Sequence, residues 1–248
     1  MLSLKHLSFI GLAAALTLGL SACGEGSDNG ADAATAPANE AVAEAATGPN
    51  AGNMTPLPAN KLTGDEPLSL QEMVQGDPNA PIELIEYASV TCPHCATFHE
   101  VIYPAIKEKF VDTGKVKLVY REFPTAPTQL AYIGFAIARC SVDVSGNPES
   151  YFATVEALYK NQQKWISQDF KPEILKLAAQ AGMDEEAVNE CLARQEVVDV
   201  INANILTGDQ TYGITGTPSF ILDGKKINAQ SEEDFIAALD AAVAKLGQ

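Results

Sequence analysis

The sequence predicts an α/β fold in which a strand–helix–strand unit comes first, a long block of helices follows, and a β-hairpin and one helix complete the chain. Three observations lead to this prediction: an apolar strand-like stretch at residues 82–88, helical periodicity across residues 127–211, and a return of β-forming residues at 219–227. About 180 residues follow residue 66, enough for one domain with a sizeable core or for a small domain with an insertion.

The strand–helix–strand unit occupies residues 82–120. Its first strand, 82–88, follows the turn-rich segment 76–81. A helix is predicted over residues 97–110 because apolar side chains recur there at helical spacing, and Pro104 is expected to kink it. Residues 116–120 alternate as a second strand, so the order predicts a parallel pair with a right-handed crossover.

The helical block, about 127–211, is predicted to contain four helices. Apolar periodicity places them at residues 130–140, 151–161, 172–181 and from Asp184, a good N-cap residue, to at least Ile205. After the block, the dipeptide Asp223-Gly224 separates two short β-forming runs and therefore predicts a hairpin. An amphipathic pattern predicts a final helix over residues 232–246.

The N-terminal segment has the pattern of an export signal. Residues 1–22 combine a short charged start, an apolar run too short for a comfortable membrane span, and small residues. The end of this run, Leu20-Ser21-Ala22-Cys23, resembles a bacterial lipobox, in which Cys23 is lipidated. An ordinary signal peptide with a chance cysteine is the alternative. Residues 23–66 are acidic and poor in large apolar side chains, which predicts a disordered tether.

The formal net charge of −16 argues against nucleic acid and against electrostatic docking to anionic lipid, because both require basic patches. Export also determines how the five cysteines are interpreted, since disulfides form and persist outside the cytoplasm. Setting aside Cys23 leaves four cysteines, an even number.

Two of these four form the motif Cys92-Pro93-His94-Cys95, directly after the first predicted strand. Cysteines at this spacing can close into a small disulfide and exchange it with the thiols of another protein. Cys92 at a helix start is expected to have a lowered pKa, helped by a protonated His94, and Cys95 is expected to be the less exposed, resolving thiol. Two alternatives are a purely structural disulfide and a zinc site that includes His99.

The chain resembles the DsbA family of exported thiol–disulfide oxidoreductases over residues 67–248. The resemblance rests on Cys92-Pro93-His94-Cys95, on Gly216-Thr217-Pro218 before the late strand, and on the turn Gly76-Asp77-Pro78. It implies a thioredoxin fold with an inserted helical domain. The thioredoxin-like parts are then residues 67–126 and 212–248, and the inserted domain is residues 127–211.

The resemblance also implies roles for three further residues. Pro218 is expected to be a cis proline that faces the active disulfide, although a trans proline at a strand start is the alternative. The backbone of Thr217 would then pair with an extended substrate. Glu86 matches the buried acid of the family and could relay a proton to Cys95, or it could be a half-exposed strand glutamate. Thr217 departs from the valine typical of strongly oxidising members, which leaves the direction of electron flow open.

The remaining cysteines, Cys140 and Cys191, fall in the first and fourth predicted helices of the block. Helices packed in one small subdomain can bring their Cα atoms within disulfide range, so we expect a structural bond in an oxidising compartment. Two buried free thiols are the alternative.

The function that these features imply is the introduction of disulfides into secreted or envelope proteins. We expect a monomer at the bacterial cell envelope, facing the periplasm and anchored to the membrane at Cys23. Its expected partners are unfolded or reduced exported proteins and a quinone-linked membrane redox protein, with no nucleic acid, and its redox-active disulfide requires no further cofactor or metal. The alternatives are an envelope thiol reductase or isomerase for specific clients and, from a different class, a metal-binding chaperone lipoprotein that uses thiolates as ligands.

Overall fold

The computed structural model describes residues 66–247, which contain one mixed five-stranded sheet. The strands are β1 Met73–Gln75, β2 Ile82–Ala88, β3 Val116–Glu122, β4 Ser219–Leu222 and β5 Lys225–Ile227. Their order across the sheet is β1-β3-β2-β4-β5. The central pair β2–β3 is parallel, as predicted, and the other three pairs are antiparallel. Strand β1 is not predictable from the sequence, because its three residues are too few for a periodic pattern.

Besides a short 3₁₀ helix at Leu68–Leu70, eight helices accompany this sheet within residues 66–247. The first, α1, is a helical run over residues 93–111. Six helices lie between β3 and β4 in the chain, and α8 follows β5. In chain order these seven are α2 Thr128–Ser145, α3 Glu149–Lys160, α4 Gln162–Trp165, α5 Lys171–Gln180, α6 Glu185–Leu192, α7 Gln195–Tyr212 and α8 Glu232–Lys245. No helix among the described residues is both long enough and apolar enough to cross a membrane.

Helix α1 begins at Pro93, four residues before the predicted start. Proline suits the first helical position because its missing N–H would have no intrahelical partner there. Pro104 does not end the helix. Instead, the run widens into a π-helical turn at Phe98–Ile102 before that proline and into another at Lys107–Val111 after it. Proline has no N–H to donate to the preceding turn, and the π-helical turns lie on either side of it while the helical run continues to Val111.

The predicted fourth helix of the block is wrong in one respect, because the chain breaks it into α6 and α7. Arg194 interrupts the helix with an extended backbone conformation. Its guanidinium donates to Asp143 at 2.8 Å and to the Ser69 hydroxyl at 3.0 Å, which ties the break to α2 and to the segment before β1. Periodicity within the sequence does not reveal these long-range contacts, which outweigh local helix propensity.

Helices cover both faces of the sheet. On one face, α1 and α8 pack against the β2 side chain Leu84 and its neighbours in a core rich in phenylalanine, including Phe98 and Phe235. On the other face, Tyr87 of β2 packs beneath α7, where Gly208 leaves room for its ring. A Cβ at residue 208 would lie 2.8 Å from the Tyr87 ring, so a larger residue would force the ring or the helix to shift. Alternate residues of β2 therefore face different helices.

A buried ion pair joins the inserted helices to the end of β3. Arg139 of α2 and Glu122 of β3 are 1% and 0% exposed, and Arg139 Nη2 donates to a Glu122 carboxylate oxygen at 2.8 Å. Tyr151 of α3 and Asn204 of α7 donate to the same carboxylate at 2.7 and 2.5 Å. Because every partner comes from a different element, this cluster fixes how three of the inserted helices dock on the sheet.

Cys140 of α2 and Cys191 of α6 form the expected disulfide, with a Cα–Cα distance of 6.1 Å. The two cysteines are 51 residues apart in sequence, and their bond lies inside the apolar core of the helical block.

Candidate active site

Cys92 lies at the N-terminus of α1, where the chain turns from β2 into the helix. Its backbone is extended and precedes Pro93, the first helical residue, so its sulfur lies at the end of the helix where the backbone N–H groups lack intrahelical partners. The Cys92 amide donates to the Ser89 carbonyl at 3.0 Å, which closes the turn. Gln162 holds the same turn from the inserted helices, since its side-chain amide donates to the carbonyls of Val90 and Cys92 at 2.8 and 3.0 Å.

The segment before β4 faces this turn across the site. The peptide bond between Thr217 and Pro218 is cis, as the resemblance implied. The Cys92 thiol lies 3.4 Å from the Thr217 carbonyl oxygen and donates to it. The structure therefore brings Cys92, Thr217 and Pro218 together, although 125 residues separate the first two in sequence.

The two thiols of the motif have opposite acid–base properties. The pKa of Cys92 is lowered to about 5, and the largest cause is a hydrogen bond from the Cys95 thiol. Burial acts in the opposite direction. The Thr217 side chain and the backbone amides of Cys95 and His94 lower the pKa further. Burial raises the pKa of Cys95 well above its usual value, and its interactions with Cys92 and Glu86 raise it further. Cys92 is 8% exposed and Cys95 0%, so only Cys92 is open to an incoming thiol.

His94 contributes to this site through its backbone rather than through its imidazole. Its amide is one of the groups that lower the pKa of Cys92, while the side chain is exposed to solvent. A cationic His94 side chain, predicted from the sequence to lower the pKa of Cys92, is therefore not among the causes of that low pKa.

Glu86 lies on β2 and is completely buried. It shares a face of the strand with Leu84, and that face is covered by α1. One carboxylate oxygen contacts His99 Nε2 at 2.8 Å, and the other, Oε1, has no hydrogen-bond partner. Its negative charge is among the causes that raise the pKa of Cys95, so Glu86 lies near the buried thiol.

Two tyrosines and His99 complete the surroundings of this carboxylate. The hydroxyls of Tyr120 and Tyr159 lie 2.6 Å apart, and the Tyr159 ring stacks on His99 with centroids 4.9 Å apart. Burial, together with the charge of Glu86, raises the pKa of both tyrosines well above the usual value, so they stay neutral at physiological pH.

Three residues of this site, His99, Tyr159 and Gln162, are not among those predicted for the redox chemistry from the sequence. His99 is predicted there only as an alternative metal ligand, yet its position four residues after Cys95 on one helix is a usable signal. Gln162 gave no signal, because it is 70 residues away from Cys92 in sequence. Among residues 66–247, no group of three or more His, Cys, Asp or Glu side chains is arranged to hold a metal ion. Cys23, the predicted signal peptide 1–22 and almost all of the predicted tether 23–66 lie outside the described residues.

Comparisons with known proteins indicate the family of this chain. A family model described as thioredoxin matches residues 69–241. A protein of Rickettsia bellii named "Putative protein-disulfide oxidoreductase" is 31% identical over 173 residues, which cover 69% of this chain and 64% of that protein. This chain thus spans less than two thirds of the length of that relative.

Solved structures of other proteins share the fold of this chain. The crystal structure of Wolbachia pipientis alpha-DsbA1 is similar with a TM-score of 0.63 and 28% identity, covering 71% of this chain and 92% of that one. Oxidised BdbD from Bacillus subtilis shares the fold, with a TM-score of 0.61 and 19% identity over 70% of this chain and 93% of that one. The fold and the paired cysteines define a thioredoxin-like protein with helices inserted between β3 and β4. The chain belongs to the thioredoxin family and, within it, to the DsbA-like proteins.

Proposed function

We propose that this chain is an exported thiol–disulfide oxidoreductase that introduces disulfides into secreted or envelope proteins through Cys92 and Cys95. The observation that carries this proposal is the contrast between the two thiols, one with a pKa near 5 and one buried with a raised pKa. A thiolate stabilised at Cys92 favours the reduced enzyme, so the Cys92–Cys95 disulfide is readily given to a substrate. The names of the similar proteins support the same chemistry.

The exchange proceeds in two displacements. A substrate thiolate attacks Cys92 Sγ, the electron pair of the enzyme disulfide passes to Cys95 sulfur, and Cys95 takes up a proton. A second substrate thiolate then attacks the substrate sulfur of the mixed disulfide and releases Cys92 as a stable thiolate. The substrate loses two electrons and the enzyme gains them. We assign Glu86 as the group that exchanges the proton with Cys95, because it is the buried carboxylate whose charge acts on that thiol.

Substrate binding is assigned to the segment beside Cys92. Because the Thr217 carbonyl lies 3.4 Å from the reacting sulfur, an extended substrate that pairs with the backbone at this residue would present its own thiol to Cys92. Backbone hydrogen bonds do not depend on the side chains of the substrate, so this mode of binding suits many different unfolded or reduced proteins. Pro218 fixes the entry into β4 at this point.

The reduced enzyme needs an acceptor for two electrons. A quinone-linked membrane protein is the partner that we propose, and it restores the Cys92–Cys95 disulfide by the reverse exchange. We further propose that residues 1–22 direct export, that Cys23 carries a lipid anchor and that residues 23–66 tether a monomeric domain above the membrane. These assignments rest on the sequence pattern. Mass spectrometry of the mature N-terminus, with Cys23→Ser as the control, tests them.

Two alternatives have a specific observation in their favour. Thr217 before Pro218 favours an envelope reductase or isomerase, since valine is typical there in strongly oxidising relatives. The thiol and imidazole groups of Cys92, His94 and Cys95 suit a chaperone for copper or zinc. Metal retained after dialysis of the reduced protein, without thiol exchange, would favour the chaperone.

The reduction potential of Cys92 and Cys95 decides between oxidase and reductase. The purified protein is equilibrated in graded glutathione buffers, its free thiols are trapped, and each cysteine pair is followed by mass spectrometry. Cys140 and Cys191 provide an internal control, because their buried bond should stay closed across the series. We expect a potential far above the thioredoxin value of about −270 mV. A potential at or below that value would refute the oxidase assignment and indicate a reductase supplied with electrons from the membrane.

A further inference from the structure

The buried thiol poses a proton-transfer problem. When a substrate thiolate opens the Cys92–Cys95 disulfide, Cys95 leaves as a thiolate with no exposed surface and with a strongly raised pKa. It therefore needs a proton at that moment, and in the reverse exchange it must lose the same proton. Cys92 cannot serve, because it is itself the bonded sulfur. A proton path from solvent to the interior is required.

The contacts of Glu86 provide such a path. Its Oε1 has no partner, although it is fully buried, and its charge acts directly on Cys95. Its Oε2 contacts His99 Nε2 at 2.8 Å. The His99 side chain is 11% exposed, whereas the Glu86 side chain is 0% exposed. The series Cys95, Glu86, His99 thus runs from the buried sulfur to a side chain that reaches solvent.

The other titratable groups around Glu86 do not compete for this proton. Tyr103, Tyr120 and Tyr159 each have a pKa raised by burial and by the charge of Glu86, so they remain protonated in the pH range of the reaction. Within residues 66–247, His99 is the only basic side chain that makes an ion pair with Glu86. The tyrosines pack around the pair and keep it dry, with Tyr159 stacked on the His99 ring and Tyr103 5.1 Å from it.

We propose that His99 is the proton gate of this enzyme, carrying protons between solvent and Cys95 through Glu86. As Cys95 leaves, it takes the proton held by the Glu86–His99 pair, and His99 then recovers a proton from water. In the reverse exchange, the pair accepts the Cys95 proton while Cys95 sulfur attacks Cys92 Sγ. His99 touches no reacting sulfur and acts only through Glu86. This inference rests on the exchange chemistry proposed above and applies equally to an oxidase and a reductase.

The test compares His99→Gln and Glu86→Gln with the wild type and with Glu100→Gln, a control at the exposed glutamate next to His99. Circular dichroism and thermal unfolding first confirm that each variant is folded. Reduction of the oxidised protein by excess dithiothreitol is then followed by stopped-flow fluorescence of Trp165, the single tryptophan of the chain. Rates are measured across pH and divided by the thiolate fraction of the reductant.

In the wild type, we expect the rate, corrected for the thiolate fraction of the reductant, to fall with rising pH, as general acid catalysis through Glu86 and His99 requires. His99→Gln and Glu86→Gln should be slower by about tenfold or more at low pH, and their corrected profiles should be flat, as expected for loss of general acid catalysis. Glu100→Gln should match the wild type. A His99→Gln rate within twofold of the wild type, with the same pH profile, would overturn the proposal.

A chemical rescue separates proton transfer from a merely structural role. His99→Ala leaves space beside Glu86, and added imidazole should restore its rate in proportion to imidazolium concentration, whereas Glu86→Gln should not respond. A folded His99→Ala variant that is slow and indifferent to imidazole would assign His99 a packing role and refute the gate. A wild-type protein without exchange activity would instead refute the proposed function itself, so the two failures are distinguishable.

Discussion

Replacement of Cys95 by alanine tests the origin of the low pKa of Cys92. The largest cause of that low pKa is the hydrogen bond from the Cys95 thiol to the Cys92 sulfur. Cys95→Ala removes the donor and leaves the N-terminus of α1 and the other donors in place. Cys95→Ser is the matched control, because a hydroxyl of similar size can donate to the same sulfur.

The size of the effect follows from the strength of a hydrogen bond to a charged group. Such a bond contributes about 1.5–3 kcal/mol, and one pKa unit corresponds to about 1.4 kcal/mol, so its loss equals about 1–2 units. We therefore expect the pKa of Cys92 to rise from about 5 in the wild type to about 6–7 in Cys95→Ala. In Cys95→Ser it should stay close to the wild-type value.

Thiolate ultraviolet absorbance, titrated from about pH 3 to pH 9, measures this pKa, and the rate of alkylation by iodoacetamide provides an independent titration. Circular dichroism at both ends of the range checks that the variants stay folded. If Cys95→Ala titrates within half a unit of the wild type, the thiol is not the dominant donor, and the helix N-terminus alone must hold the thiolate.

The same pKa gives the stability of the reduced protein a defined pH dependence. The pKa of Cys92 falls from 9.0 to about 5 on folding, so the stabilisation is complete above about pH 9 and is lost as pH falls through about 5. At pH 7, after allowance for solvent screening, it is about 2 kcal/mol, equivalent to about 40 mV in the potential. Urea unfolding of reduced and oxidised protein should show a stability difference that grows from pH 5 to pH 9. A difference that is independent of pH would contradict this reasoning.

Three further substitutions test the supports of the site. Gln162→Leu removes the donor to the carbonyls of Val90 and Cys92 and should lower the free energy of unfolding by about 1–3 kcal/mol. An unchanged free energy in urea unfolding would show that these two hydrogen bonds do not stabilise the fold. Loss of the Cys140–Cys191 bond through a double alanine variant should lower the free energy of unfolding by about 4 kcal/mol for its 51-residue separation, measured against the oxidised wild type. Arg139→Met leaves the Glu122 charge buried and should cost about 3–5 kcal/mol, whereas adding Glu122→Gln should recover part of the loss. Strict additivity in that double-mutant cycle would argue against direct coupling.

Local pattern was sufficient for most of the secondary structure. Strand β2, the parallel partner β3 and the hairpin β4–β5 were predictable because alternation and the Asp223-Gly224 turn are properties of neighbouring residues. Strand β1 was missed because three residues carry no period. The break between α6 and α7 was missed because the partners of Arg194 at the break lie on α2 and before β1.

The sequence by itself determined the chemistry, and the tertiary structure decided the geometry that controls it. The motif Cys92-Pro93-His94-Cys95 places a thiol at a helix N-terminus through local backbone preferences alone. Alternation along β2 allowed two orientations for Glu86, and only the packing of α1 over that face buries its carboxylate beside Cys95 and against His99. Gln162 reaches the active-site turn only after the inserted helices have docked. Burial and long-range hydrogen bonds depend on which surfaces meet, and residue spacing along a chain does not encode that directly.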